Sequence, residues 1–158
     1  MTPKFTEDKK ADILISALEE RYVSIHKIRE RVQGVNLWAL GLLGASAGWL
    51  MTSDIHFRLF SAILIGGAIF LAYWILRHRY FADLETGFRS QMRTAARLEE
   101  MLNLYEPGYF AESKSAYPIE WKDAGVNKDQ GNYFRSSYDL MEVGLFIFYV
   151  ALLLKTCL

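Results

Sequence analysis

Two long stretches of the chain, residues 32–53 and 59–76, carry no Asp, Glu, Lys, Arg or His. At 1.5 Å per residue they give helices of roughly 27–33 Å, close to the hydrocarbon thickness of a bilayer. A core helix of a small water-soluble protein keeps a polar stripe, and neither run has one. They predict two transmembrane helices joined by a tight connection at 54–58. A third apolar run, 143–154, makes only about 18 Å of helix, too short to cross alone. Extending it back to Ser136 reaches about 30 Å and draws Asp139 and Glu142 to membrane depth.

The charged segments complete the layout. Residues 8–33 contain strong helix formers, with Ala11, Leu14, Leu18, Ile25, Ile28 and Val32 recurring at helical spacing and Arg21 interrupting the stripe. This helix is expected to run straight into the first span. Beyond the second span, Phe81, Leu84, Phe88, Gln91, Ala95, Leu98, Leu102 and Tyr105 alternate in steps of three and four. That is a heptad seam with one polar member, suited either to a coil between subunits or to packing on the N-terminal helix. Residues 106–134 hold Pro107, Pro118, Gly108, Gly125 and Gly131 among Tyr109, Phe110, Tyr117, Trp121, Tyr133 and Phe134. Structureless loops of that length are unusual, so the aromatics point to a segment folded onto something. Interleaved with Lys114, Lys122 and Lys128, they also suit stacking on single-stranded nucleic acid.

The pattern therefore predicts an all-α, oligomeric membrane protein with two transmembrane helices and a shorter third. The segments are an N-terminal amphipathic helix (1–34), a transmembrane hairpin (35–77), a cytoplasmic helix with an aromatic-rich loop (78–134) and a C-terminal membrane helix (135–158).

Charge adds orientation. Net charge is zero, with 18 basic and 18 acidic residues, so global basicity says nothing for nucleic acid. The basic residues cluster in 1–31 and 77–135, and the connection between the spans holds only Arg58. The positive-inside rule then places the N-terminus and the 77–135 segment in the cytoplasm. Trp38, Trp49, Tyr73, Trp74 and Tyr80 lie near the expected membrane interfaces.

Gly41, Gly44 and Gly48, with Ala45 beside them, share one face of the first span and include a GxxxG pair. In lipid, apolar side chains gain little from meeting one another, and close backbone approach through small residues drives helix association. The glycines are expected to form a packing seam, either with the second span and its Ala62, Gly66 and Gly67, or with another subunit, where they would line a pore. Asp139 and Glu142 share a face of the third segment. Carboxylates at membrane depth face a polar path, and rings of them favour cations; the alternative places both at the cytoplasmic interface. Arg89, Arg93 and Arg97 recur every fourth residue as a basic stripe. The stripe is either a solvated or headgroup-facing surface or a site for a phosphate-rich ligand, which arginine forks match.

Catalytic chemistry is missing. His26, His56 and His78 are far apart and His56 falls on the opposite side of the membrane. No HExxH, P-loop, GxSxG or CxxC motif occurs, and the lone Cys157 forms no intrachain disulfide. No enzyme activity, cofactor or metal is expected.

With a charged helix entering the first span (Arg21-Tyr22 through Arg29-Glu-Arg31), a tight hairpin, and a helical extension starting at Arg77-His-Arg-Tyr80, residues 10–105 resemble the SLATT-type small membrane effectors of bacterial nucleotide-signalled defence. The chain is also similar to the channel effectors of Hailong-type anti-phage systems. The resemblance implies an ion channel or pore of the bacterial inner membrane, homotetrameric and shut until infection. A partner nucleotidyltransferase would make its signal, which in Hailong-type systems is single-stranded DNA that inhibits the channel. The third apolar segment departs from the two-span pattern and leaves open which helix lines the pore. A non-conducting scaffold that anchors a cytoplasmic partner is the alternative reading of the same layout.

Overall fold

In a computed structural model, residues 6–109, 112, 114–124, 126 and 133–157 are described. Phe110, Gly125, Lys128 and Gly131, named above, lie outside them. The described residues form four α-helices: α1 (Glu7–Thr52), α2 (Leu59–Ile75), α3 (Ala82–Met101) and α4 (Tyr133–Cys157). A π-helical turn, Leu76–Phe81, joins α2 to α3, and a short 3-10 turn spans Ile119–Asp123. Three helical stretches, Glu7–Thr52, Leu59–Met101 and Tyr133–Cys157, are long and apolar enough to cross a membrane. The shorter third segment thus belongs with the first two.

The described residues divide into two compact units, each discontinuous in sequence. The first draws on Met1–Arg29 and Glu85–Gly131, the second on Glu30–Leu84 and Asn132–Leu158. The units cut across the segments expected from the sequence. The N-terminal helix groups with α3, and residues 78–84 group with the hairpin.

In the second unit α1, α2 and α4 share a core. Ala47, Leu50, Ala62, Phe148, Ala151 and Leu152 are buried together, with Leu43, Phe57, Ile69 and Tyr149 against them. Small residues decide where the helices approach. A Cβ on Gly144 would lie 2.9 Å from Leu40 Cδ2 and 3.2 Å from Leu43 Cδ1, so α4 meets α1 there. A Cβ on Gly66 would lie 3.1 Å from Tyr149 Cε1, and the Tyr149 hydroxyl donates to the Gly66 carbonyl at 2.6 Å. In apolar surroundings such a bond satisfies a phenol that would otherwise be costly to bury. At the far end of α4, Lys155 Nζ donates to the Ser53 carbonyl at 2.7 Å, and the Phe57 amide donates to the Lys155 carbonyl at 3.4 Å. Outward-facing residues are large and apolar, including Leu37, Trp38, Phe60, Phe70, Phe146 and Leu153. That inverted surface suits lipid.

The π-helical turn is invisible in the sequence, which holds no Pro or Gly there. A π turn adds a residue to the helical repeat and so rotates the face that follows it. Phe81, fully buried, ends the turn and meets Tyr138 edge-to-face at 5.7 Å between ring centroids.

In the first unit the heptad residues pack on α1 of their own chain. Leu18, Ile25 and Ala95 are buried together, flanked by Phe88, Met92, Leu98, Leu102 and Leu104. Of the two expected roles for the heptad, packing on the N-terminal helix is the one seen for residues 88–102. Arg21, read as an interruption, instead donates to the polar heptad residue Gln91 at 2.9 Å. The loop after α3 folds back onto it. Asn103 takes a left-handed conformation (φ 58°), and the Tyr117 amide donates to the Leu104 carbonyl at 3.0 Å.

Candidate functional site

In the second unit the expected glycine seam splits in two. An added Cβ would meet nothing within 4 Å on Gly41, Gly44 or Gly48. The alternative in which these glycines pack on the second span is therefore overturned. α1 turns Ala47 and Leu50 inward, roughly one residue away around the helix, and leaves the glycines on the outside. Of the second span's small residues, Ala62 and Gly66 are used in packing, whereas Gly67 has nothing near it.

The acidic pair also separates. Glu142 accepts hydrogen bonds from Tyr73 (2.9 Å) and from Arg77, with which it forms an ion pair. Arg77 in addition donates to the Tyr73 hydroxyl at 2.6 Å and lies over the Tyr138 ring, 5.0 Å from its centroid. Asp139 is exposed, and among the described residues no ion pair reaches it. The pairing ties Glu142 to the π-helical turn after α2, where Arg77 sits, while Lys155 ties the other end of α4 to the α1–α2 connection. The apolar run 143–154 therefore traverses the hairpin between two anchored charges, and long polar side chains make up the missing length by reaching outward. Glu142 is thus a paired acid, whereas Asp139 is exposed.

The basic stripe on α3 is likewise uneven. Arg89 is half-buried and ion-paired with Glu85, one turn earlier. Arg93 and Arg97 are exposed.

Sequence reading missed the most enclosed polar group of the first unit. Glu99 is only 5% exposed. Its Oε1 accepts the Tyr22 hydroxyl and its Oε2 the Tyr105 hydroxyl. Burial first, then the bond to Glu99, pushes both phenols well above the ordinary tyrosine range. Among the described residues no cation pairs with Glu99; Lys122 pairs with Glu100 instead, at 2.7 Å. A cavity of about 510 Å³ opens beside the Tyr22–Glu99 bond. Apolar Ile25, Met92, Ala95 and Ala96 line it, and Trp121, carried by the 3-10 turn, closes one side. Trp121 in turn packs on Tyr117 (5.5 Å), and Tyr117 on Tyr105 (6.4 Å). One signal was available in the sequence: Met92, Ala95, Ala96 and Glu99 share a helix face, so a carboxylate follows directly on an apolar stripe.

Among the described residues no group of His, Cys, Asp and Glu has the arrangement of a metal site. No protein-family model, curated protein or solved structure matches the chain.

Proposed function

We propose that the chain is a homo-oligomeric membrane channel or pore whose opening depolarises the cell, under the control of a cytoplasmic ligand. The carrying observation is the outward seam of Gly41, Gly44 and Gly48, which no described residue of the same chain covers. Small residues are kept on a membrane helix where another backbone must come close. The three helices pack side chains into a shared core. A conduction path then forms between copies, with the glycine face of α1 toward the neighbouring subunit or the pore, and a tetramer is the number that the resemblance implies.

In this reading the first unit lies in the cytoplasm and senses the signal. The stripe of Arg89, Arg93 and Arg97 is the site for a phosphate-rich ligand, with Arg89 also ion-paired to Glu85. A ligand bound there shifts the population between closed and open arrangements. By resemblance, the role is that of an anti-phage effector whose signal is a nucleotide or single-stranded DNA made by a partner nucleotidyltransferase. The pairing of Glu142 with Arg77 favours a second reading, a non-conducting scaffold, because it leaves the acids as interface residues.

The test is membrane potential, read with a voltage-sensitive dye in cells expressing the chain alone. Wild type is compared with Gly44→Leu/Gly48→Leu and with Asp139→Ala/Glu142→Ala. Depolarisation lost in the glycine variant supports the seam, and loss in the acid variant moves the path to α4. An unchanged potential with confirmed insertion, with or without phosphate-rich ligands, favours the scaffold.

A further inference from the structure

The cavity beside Glu99 is independent of the arginine stripe and of whether the chain conducts. A carboxylate 5% exposed is costly to bury unless its charge is met. Here two phenols meet it, and among the described residues no cation does. Tyr22 and Glu99 themselves line the cavity, whereas Tyr105 is not part of its lining. Glu120 contributes a second carboxylate to the wall and Trp121 an aromatic ring. An ionised carboxylate has about four acceptor positions, so two remain after the tyrosines bind. Volumes of roughly 300–1,000 Å³ with apolar walls and a few placed polar groups are usual for small-molecule sites. An acid with an aromatic face selects a cation. Among the described residues of the wall, the basic one, Arg29, lies over the Phe88 ring, 5.4 Å from its centroid.

We propose that this cavity binds a small organic cation: an ammonium group held by Glu99 and Glu120 beside Trp121, with an apolar body against Ile25, Met92, Ala95 and Ala96. Primary and quaternary amines with a ring or short alkyl body are the matching class. Anions of the same shape are excluded by the two carboxylates. Because Tyr22 stands on α1 and Glu99 on α3, the ligand contacts both helices at the point where they are bonded.

The experiment is calorimetric titration of the full chain in neutral maltoside micelles, which contain no ammonium headgroup, with empty micelles as the blank. Phenethylammonium and phenylacetate serve as probes of equal body and opposite charge. Phenethylammonium is expected to bind and phenylacetate not. Glu99→Gln should weaken binding at least tenfold and Trp121→Ala about three- to tenfold. Glu120 is exposed, so Glu120→Lys leaves the fold intact and should also weaken binding tenfold; it carries the test if Glu99→Gln fails to fold. Equal binding of the two probes, no binding of phenethylammonium, or unchanged affinity in Glu120→Lys overturns the proposal. None of these outcomes touches the channel reading, which is tested by membrane potential.

Discussion

Removing one phenol from the Tyr22–Glu99–Tyr105 cluster measures how the first unit holds a buried charge. Hydrogen bonds to charged groups contribute about 1.5–3 kcal/mol each. Tyr105 is 6% exposed, so water cannot replace it. Tyr105→Phe should therefore reach the upper part of that range. Tyr22 is 40% exposed, so water compensates in part, and Tyr22→Phe should fall near about 1 kcal/mol. The double variant strands an enclosed carboxylate and should cost more than the sum. Adding Glu99→Leu should recover most of the loss, because removing both partners leaves nothing unsatisfied. The assay is hydrogen exchange of the full chain in lipid nanodiscs, read on peptides covering 17–29 and 91–105. Since about 1.4 kcal/mol is a factor of ten, Tyr105→Phe should speed exchange of these peptides roughly ten- to a hundredfold. Peptides of the second unit should not respond. Unchanged exchange in Tyr105→Phe, or no recovery with Glu99→Leu, would refute the account of a carboxylate held by its donors.

The same cluster sets an alkaline limit. Both phenols have folded pKa values raised above the unfolded value, so their stabilisation is full below about pH 10 and is lost as pH rises beyond it. Absorbance at high pH should show tyrosine ionisation coupled to loosening of the first unit, and the double Phe variant should shed that dependence. Gly144→Leu should separate α4 from α1, lowering thermal stability by about 1–3 kcal/mol through overpacking; Gly44→Leu, with open space around it, should leave the melting of a single chain unchanged while altering crosslinked oligomers. Asn36 is buried, and its Oδ1 has no hydrogen-bond partner among the described residues. Asn36→Leu should therefore be neutral or stabilise by about 1–3 kcal/mol in thermal unfolding, and a clear loss of stability would reveal a partner bound there in the assembled protein. A double-mutant cycle on Arg77 and Glu142, both part-exposed, should give a coupling of about 0.2–1 kcal/mol in the same assay.

Patterning along the chain was enough for the helices. Apolar runs without charge at 32–53 and 59–76 dictate helices apolar enough to cross a membrane, because unpaired charges and backbone cannot be solvated in lipid. The heptad from Phe88 to Leu102 likewise announced a packing face, because spacing of three and four puts residues on one side of a helix. Partner choice was beyond it. Helical spacing states which residues share a face but not what that face meets, so Gly41, Gly44 and Gly48 read the same whether they point at α2 or outward. Only the fold assigned close approach to Gly66 and Gly144 and left the other three glycines uncovered. Glu142 and Arg77 lie 65 positions apart, and Tyr22 and Glu99 77. Pairing over such distances leaves no local trace, since each residue alone is an ordinary polar side chain near a helix end or beside a stripe. The third helix shows both levels together: its 12-residue apolar run came from the sequence. Its passage along the whole hairpin was decided by Arg77 and Ser53, which receive Glu142 and Lys155 at its two ends.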